Sequence, residues 1–552
     1  MHSYASFRRA TLGAALLLAL ARMPAHAGEA HLEGLASDTT FDQFIVKYRD
    51  GGATAATPTA IERSLARAAP AIAPDARGNA LAVRHLRRMA LGADVVRASR
   101  RLDRVDAATL MRRIAADPEV EYVEVDARMW PTLVPNDPLY PQQWGYAGSA
   151  ASINAPAAWD KSTGNGVVVA VLDTGITPHS DLAANLVAGY DFITSATTAR
   201  DGNGRDPNPN DEGDWITTAS SCYQGVLRNS SWHGTHVAGT VAARTNNGTG
   251  VAGVAFDARV QPVRVLGQCG GVTSDIADAI VWASGGTVSG VPANATPARI
   301  INMSLGGTGA CSTTYQNAIN SAVGRGTTVV VAAGNGNTNV SNAQPASCAN
   351  VIAVGAATST GARASFSNFG TGVDIAAPGV GVLSTLNTGA QTQGAETYAY
   401  YDGTSMAAPH VAGVAALVQR RRAAMGQPLF TPAQLEAHLK ANVTAFPATP
   451  SQPIGTGLLN ADAAVTAAVP PPAPPVITYF SCSGTGGGYC SVNYTSSSPV
   501  TFAWSGGFTS GCTGSTCSGV CGTLSGFTIK ITVTLTNSVG STSADGWPFC
   551  QR

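Results

Sequence analysis

Apolar and polar residues alternate with a period of two along Phe41-Asp-Gln-Phe-Ile-Val-Lys-Tyr48 and along Val120-Glu-Tyr-Val-Glu-Val125. That is the pattern of strands with one face buried. Between them, Asp106-Ala-Ala-Thr-Leu-Met-Arg-Arg-Ile-Ala-Ala116 spaces its apolar residues for a helix behind an Asp cap. Residues 28–130 thus read as a small α+β module. From 131 to 469 the pattern changes. Val167-Val-Val-Ala-Val-Leu172, Arg299-Ile-Ile-Asn-Met303, Thr328-Val-Val-Val-Ala332 and Val351-Ile-Ala-Val354 are short β-branched runs, separated by Ala-rich helical stretches. Apolar strands alternating with helices predict an α/β fold, a mostly parallel sheet with helices on both faces.

Pro470-Pro-Pro-Ala-Pro-Pro475 ends this pattern as a semi-rigid extended linker. Beyond it, in residues 476–552, Ser, Thr, Gly and Cys dominate. Thr501-Phe-Ala-Trp504 and Thr528-Ile-Lys-Ile-Thr-Val-Thr-Leu535 are short strand patterns. They predict a small disulfide-rich all-β domain, a sandwich similar to an immunoglobulin-like module.

The first 27 residues are an address. Arg8 and Arg9 precede an apolar run from Ala10 to Ala21, and Ala25-His26-Ala27 offers a small-residue cleavage site. This predicts a secretory signal peptide cut after Ala27. The run is shorter than the roughly 20 residues that cross a bilayer, and no later run reaches that length, so no membrane segment is expected. An exported, extracellular chain can keep disulfides. The ten cysteines fall into two groups, Cys222, Cys269, Cys311 and Cys348, then six from Cys482 to Cys550. Sequence proximity alone suggests Cys222–Cys269 and Cys311–Cys348, and the six in the tail leave their pairing open. A zinc knuckle is disfavoured because Cys517-x3-Cys521 has no partner pair.

Charge narrows the classes further. Lys+Arg and Asp+Glu are both 34, and charged residues are only 12% of the chain. Nucleic-acid binding, which needs a basic domain, is not expected. Nor is disorder, since 44% of residues are hydrophobic.

Three segments of the central region carry chemistry. Asp173-Thr-Gly-Ile176 follows an apolar strand, where parallel sheets gather functional groups; an Asp there can equally cap a turn. His233-Gly-Thr-His236 opens an Ala-rich helix, and its two histidines lack the Glu of a zinc-protease motif. Ser405 in Asp402-Gly-Thr-Ser405-Met-Ala-Ala-Pro409-His410 stands at the mouth of an apolar helix, as many N-caps do.

Taken together and in this order, Val171-Leu-Asp-Thr-Gly-Ile176, His233-Gly-Thr-His-Val-Ala-Gly-Thr240 and Gly403-Thr-Ser-Met-Ala-Ala-Pro-His-Val-Ala-Gly413 resemble the subtilisin-like serine proteases, the subtilases. The resemblance covers nearly all of 131–469 and implies a secreted serine endopeptidase with a subtilisin-like fold. It implies Asp173, His233 and Ser405 as the triad, with His236 as a packing residue. Asn335, in Ala332-Ala-Gly-Asn335-Gly, is implied as the oxyanion donor. Ser304-Leu-Gly-Gly307 is implied to pair with substrate backbone, giving Ser304, Leu305 and Gly306 a binding role toward extended peptide substrates. Gly336 places no acidic side chain in the specificity pocket, which leans toward apolar or aromatic residues.

By the same resemblance, residues 28–130 are similar to a propeptide that templates folding and then inhibits the enzyme until the enzyme cuts it off. Pro135-Asn-Asp-Pro138-Leu-Tyr-Pro-Gln-Gln-Trp144 looks like a mature N-terminus, so the cut is expected between Ala127 and Asn136. The chain is expected to act as a monomer. An acidic Gly- and Pro-rich insert runs from Asp201 to Asp214. Its carboxylates suit calcium, which takes six to eight oxygens. Asp201, Asp206, Asp211 and Asp214 are the expected ligands, and Asp181 is a second candidate by family analogy. Rival readings are an inactive subtilase scaffold, or an adhesive tail that carries a protease.

Overall fold

The computed structural model describes residues 28–36, 40–52, 57–75, 78–127 and 133–469, together with strands between 476 and 550. The expected signal peptide with its cleavage at Ala27, the linker 470–475 and residues 128–132 of the expected maturation site lie outside the described residues. The chain divides into one compact unit, Met129–Pro470, and a second formed by Met1–Arg128 and Pro471–Arg552.

The central sheet of the first unit runs, in spatial order, Val443–Thr444, Leu458–Leu459, Ile375–Pro378, Ile352–Ala357, Thr328–Ala332, Ile300–Met303, Val168–Asp173, Arg259–Arg264 and Tyr190–Asp191. Every pairing is parallel except Val443–Thr444 with Leu458–Leu459. The strand residues lack polar alternation because both faces are covered. Val169 and Val171 pack on one side with Val237, Val241 and Val411, and Ala170 and Leu172 pack on the other with Ile276, Ile280 and Ile319. Helices His233–Ala242 and Thr404–Ala424 supply the first layer, and Thr273–Ala283 and Thr313–Gly324 the second. This is the doubly covered α/β architecture that the alternating strands and helices predict.

Arg259-Val-Gln-Pro-Val-Arg264 is a strand that hydrophobic patterning does not reveal, since it holds two arginines, a glutamine and a proline. Arg264 is fully buried and ion-paired to Asp191 at 2.6 Å, which compensates its desolvation.

In the N-terminal module the five strands order as Glu29–His31, Val120–Val125, Thr40–Tyr48, Asp94–Asp103 and Val83–Arg88, with helices Pro58–Ala68 and Arg104–Ala115. The second helix begins two residues earlier than the Asp106 expectation. Its cap is Asp103, whose Oδ1 accepts from the N–H groups of Val105 (2.9 Å) and Asp106 (2.8 Å). Helix face and sheet bury Phe44, Val46, Leu110 and Met111 between them.

The C-terminal module holds a four-stranded and a three-stranded antiparallel sheet. Val492 of the first meets Val533 and Leu535 of the second. Cys482 and Cys490 are joined across neighbouring strands of one sheet. An antibody-type disulfide links the two sheets, which this bridge does not do. Among the described residues no helix is long and apolar enough to cross a membrane.

Candidate active site

Parallel strands point their carboxyl ends the same way, so loops distant in sequence collect at one edge. Asp173 ends the strand Val168–Asp173, Ser304 follows Ile300–Met303, and Asn335 follows Thr328–Ala332. His233 and Ser405 enter from the first turns of their helices.

Asp173 is fully buried, and its Oδ1 accepts from His233 Nδ1 at 2.7 Å and from the Thr174 N–H at 2.8 Å. The helix carrying His233 lies close to the loop after Asp173. A Cβ on Gly234 would sit 2.2 Å from the Gly175 carbonyl oxygen, so only glycine fits there. The Gly234 N–H donates to Thr174 Oγ1 (2.9 Å), and Thr174 Oγ1 donates to Asp211 Oδ2 (2.5 Å). Burial alone would push the His233 pKa down. The adjoining Asp173 carboxylate, its hydrogen bond, and the charges of Asp214 and Asp211 outweigh this and hold it above its ordinary value. His236 differs: it is buried, its Nε2 faces the carbonyls of Val382 (3.1 Å) and Ala399 (3.0 Å), and burial pushes its pKa down to about 3. It is a neutral packing group.

Ser405 occupies the second position of a helix that is buried from Met406 to Gln419. Pro409 has no N–H, so the carbonyl of Ser405, four residues back, loses its helical donor. Ser304 Oγ replaces that donor at 2.7 Å. In return Ser405 Oγ donates to the Ser304 carbonyl at 3.2 Å. Asn302 Nδ2 fixes the Ser304 hydroxyl at 2.9 Å. Neither Ser304 contact could be anticipated without recognising the carbonyl that Pro409 leaves free.

Asn335 is exposed, and its Oδ1 accepts from the N–H (2.9 Å) and hydroxyl (2.8 Å) of Thr404. A backbone N–H can only donate, so the amide oxygen must face Thr404 and the nitrogen must face away. Two clefts meet at this point. One, of about 640 Å³, is lined by His233, Thr174, Asp214, Ser304 and the Cys222–Cys269 disulfide. The other, also about 640 Å³, is lined by Ser304, Leu305, Gly306, Asn335, Gly336 and Ser405. Ser304 belongs to both. A second disulfide joins Cys311 and Cys348.

Residues 164–457 match the model of the Subtilase family. The chain belongs to the subtilase family. It is 60% identical over 474 residues to an extracellular protease of Xanthomonas campestris pv. campestris, covering 85% of this chain and 81% of that one. It is 45% identical over 430 residues to an extracellular basic protease of Dichelobacter nodosus, covering 77% and 70%. Among solved structures, a protease of Pseudoalteromonas arctica is similar with a TM-score of 0.59 and 55% identity, over 61% of this chain and 100% of that one. Subtilases are serine endopeptidases, and so is this chain.

The carboxylates of the insert, expected to hold calcium, make the following contacts. Asp201 Oδ1 accepts from the Asn203 N–H, and its Oδ2 lies 3.4 Å from Arg264 Nη1. Asp206 accepts from Asn203 Nδ2 and the Asn208 N–H. Asp211 takes Thr174 Oγ1 and the Gly213 N–H, and Asp214 takes the N–H and hydroxyl of Ser231. Each carboxylate is committed to its own donors, and a guanidinium stands beside one of them. Among the described residues no three His, Cys, Asp or Glu side chains converge on a common point. As they stand, the four carboxylates do not form a shared acidic cluster among the described residues. They act as side-chain-to-backbone ties that shape an irregular loop.

Proposed function

We propose that the peptidase unit cleaves peptide bonds by attack of Ser405 Oγ on the scissile carbonyl. In that reading the Ser405 hydroxyl leaves the Ser304 carbonyl and passes its proton to His233 Nε2 as the new C–O bond forms. His233 can take it because its Nδ1–H is held by Asp173, which fixes the tautomer and stabilises the resulting imidazolium. The oxyanion receives the Ser405 N–H and an N–H of Asn335 Nδ2. When the tetrahedral adduct collapses, His233 returns the proton to the leaving amine, and water repeats the sequence on the acyl-enzyme. The observation that carries this reading is the cleft junction at Ser304, with the Asp173–His233 pair on one side and Ser405 with Asn335 on the other.

Substrate is proposed to lie extended along Ser304, Leu305 and Gly306, where Leu305 is half-buried and Gly306 exposed. The slot beside Gly336 takes the specificity side chain, with an apolar or aromatic preference. The N-terminal module is proposed to serve as an intramolecular propeptide, and the enzyme as an exported, self-processing zymogen, in line with the extracellular proteases it is similar to. Ser405→Ala should accumulate as unprocessed precursor without caseinolytic activity. Normal processing and hydrolysis in that variant would refute the assignment.

Structural calcium is proposed for this unit, with Asp181 as the first ligand to test. Its carboxylate is buried, takes Asn247 Nδ2 at 2.7 Å and the Val251 N–H at 3.0 Å, and has no lysine or arginine partner among the described residues. A hard cation would compensate that buried charge. Chelation should lower the melting temperature of the wild type and leave Asp181→Asn unchanged. Equal melting curves for the wild type with and without chelator would remove this claim.

A further inference from the structure

Asn368 lies in Phe366-Ser-Asn368-Phe369, a segment without helical or strand periodicity, and the chemistry described so far does not use it. It is 3% exposed, yet it lines the same cleft as Ser405 and Asn335. Its Oδ1 accepts from the N–H of Gly336 (3.1 Å), the N–H of Thr338 (3.0 Å) and the hydroxyl of Thr338 (3.3 Å). Its Nδ2 donates to the Ala333 carbonyl at 2.8 Å. The backbone adds two ties, Asn368 N–H to Gly334 O and Phe369 N–H to Thr338 O. One buried carboxamide thus engages residues 333, 336 and 338, which flank Asn335 on both sides.

The loop is built around this side chain. Gly334 has φ +102°, and a Cβ there would stand 2.4 Å from Asn368 Nδ2, so a glycine is needed both for the turn and for the amide's approach. From the opposite side, Thr404 Oγ1 accepts from the Gly334 N–H at 3.0 Å and donates to Asn335 Oδ1 at 2.8 Å. Thr404 therefore orients the Asn335 side chain, while Asn368 fixes the backbone from which that side chain projects. Both functions are needed, since a donor misplaced by about 1 Å can lose about 10²-fold in rate.

We propose that Asn368 is a positioning residue: it holds the Ala333–Thr338 loop so that Asn335 Nδ2 meets the developing oxyanion. The proposal rests on the reading of Asn335 as oxyanion donor. Asp at 368 could accept from the loop but not donate to Ala333 while ionised. Ser could supply a single hydroxyl for four contacts. Neither replaces the carboxamide.

The test is a double-mutant cycle on the full-length protein, each variant matured in trans by immobilised wild-type enzyme, with kcat, KM and melting temperature measured. Asn368→Ala should lower kcat by about 10–100-fold, with KM for a peptide anilide changed about threefold or less. Asn335→Ala should lower kcat by about 10²–10³, the scale known for this side chain in subtilisin itself. Because Asn368 acts through Asn335, the double variant should match Asn335→Ala within about twofold. Multiplicative losses, or a kcat within twofold of wild type for Asn368→Ala, would overturn the proposal. If Asn335→Ala itself keeps full kcat, the oxyanion assignment fails instead, and the two failures are distinguishable. Asn368→Ser provides a milder second variant should the alanine protein not fold. Its kcat should fall between the two, and a kcat at the wild-type level would overturn the proposal.

Discussion

Asp173 and Asp211 are both buried carboxylates, joined through Thr174, and the protein uses them in opposite ways. Asp173 receives His233 Nδ1, a group whose charge changes during the proposed reaction, and its Oδ2 has no hydrogen-bond partner among the described residues. Asp211 receives only neutral donors, Thr174 Oγ1 and the Gly213 N–H, and burial pushes its pKa up to about 7. A buried carboxylate facing an ionisable partner can stabilise a charge that appears in the transition state. One facing neutral donors acts mainly by fixing geometry, its charge reaching His233 only as the smallest of several contributions. Losing the first should therefore cost rate, and losing the second should cost mainly stability.

The largest effect that would sharpen this contrast is in Asp173→Asn. The fold should persist, with a melting temperature within a few degrees, while kcat drops by about 10⁴, the scale seen when this carboxylate is removed from subtilisin. A melting temperature that collapses together with activity would break the contrast. The next is Asp211→Ala, which strips the acceptor from two buried donors and should cost about 1–3 kcal/mol. Denaturant unfolding reads that loss, and kcat should fall less than tenfold.

The pH dependence of Asp211 is smaller and has a definite sign. Its carboxyl stays protonated in the folded chain up to about pH 7, whereas the unfolded chain releases the proton near the ordinary value of about 4. The unfolded state thus binds fewer protons in this window, so the residue's destabilisation grows from about pH 4 to 7 and is constant above. Asp211→Asn removes it. The melting temperature of the variant relative to wild type should rise across that window and then level off. A flat difference would contradict the raised pKa. The smallest effect concerns Asp214, whose charge helps hold the His233 pKa up. Asp214→Asn should move the acidic limb of kcat/KM to lower pH, and added salt should shrink the shift. A limb that stays in place would show that Asp214 does not help set the His233 pKa.

Much of the fold was legible because the chain states it repeatedly. The runs at 167–172, 299–303, 328–332 and 351–354 coincide, within a few residues at either end, with central strands, and three motifs in order indicate the family. What escaped has physical causes. The strand Arg259–Arg264 hides behind its charges, and Arg264 meets Asp191 and Asp201 only in the folded chain. In the acidic insert, composition counts carboxylates and is blind to the N–H and O–H donors that those carboxylates accept from. Asn368 gave no signal, since four contacts made by one amide depend on a loop 30 residues away and leave no periodicity behind.

The central claim is that Ser405 is a nucleophile activated by His233. Mass spectrometry after reaction with a sulfonyl fluoride tests it most directly, with the modified peptide located and the labelling rate followed against pH. One adduct is predicted, on Ser405, at a rate that rises as His233 loses its proton and that His233→Ala suppresses. Continued peptide hydrolysis with Ser405 unmodified, or a label on another serine, would contradict the account.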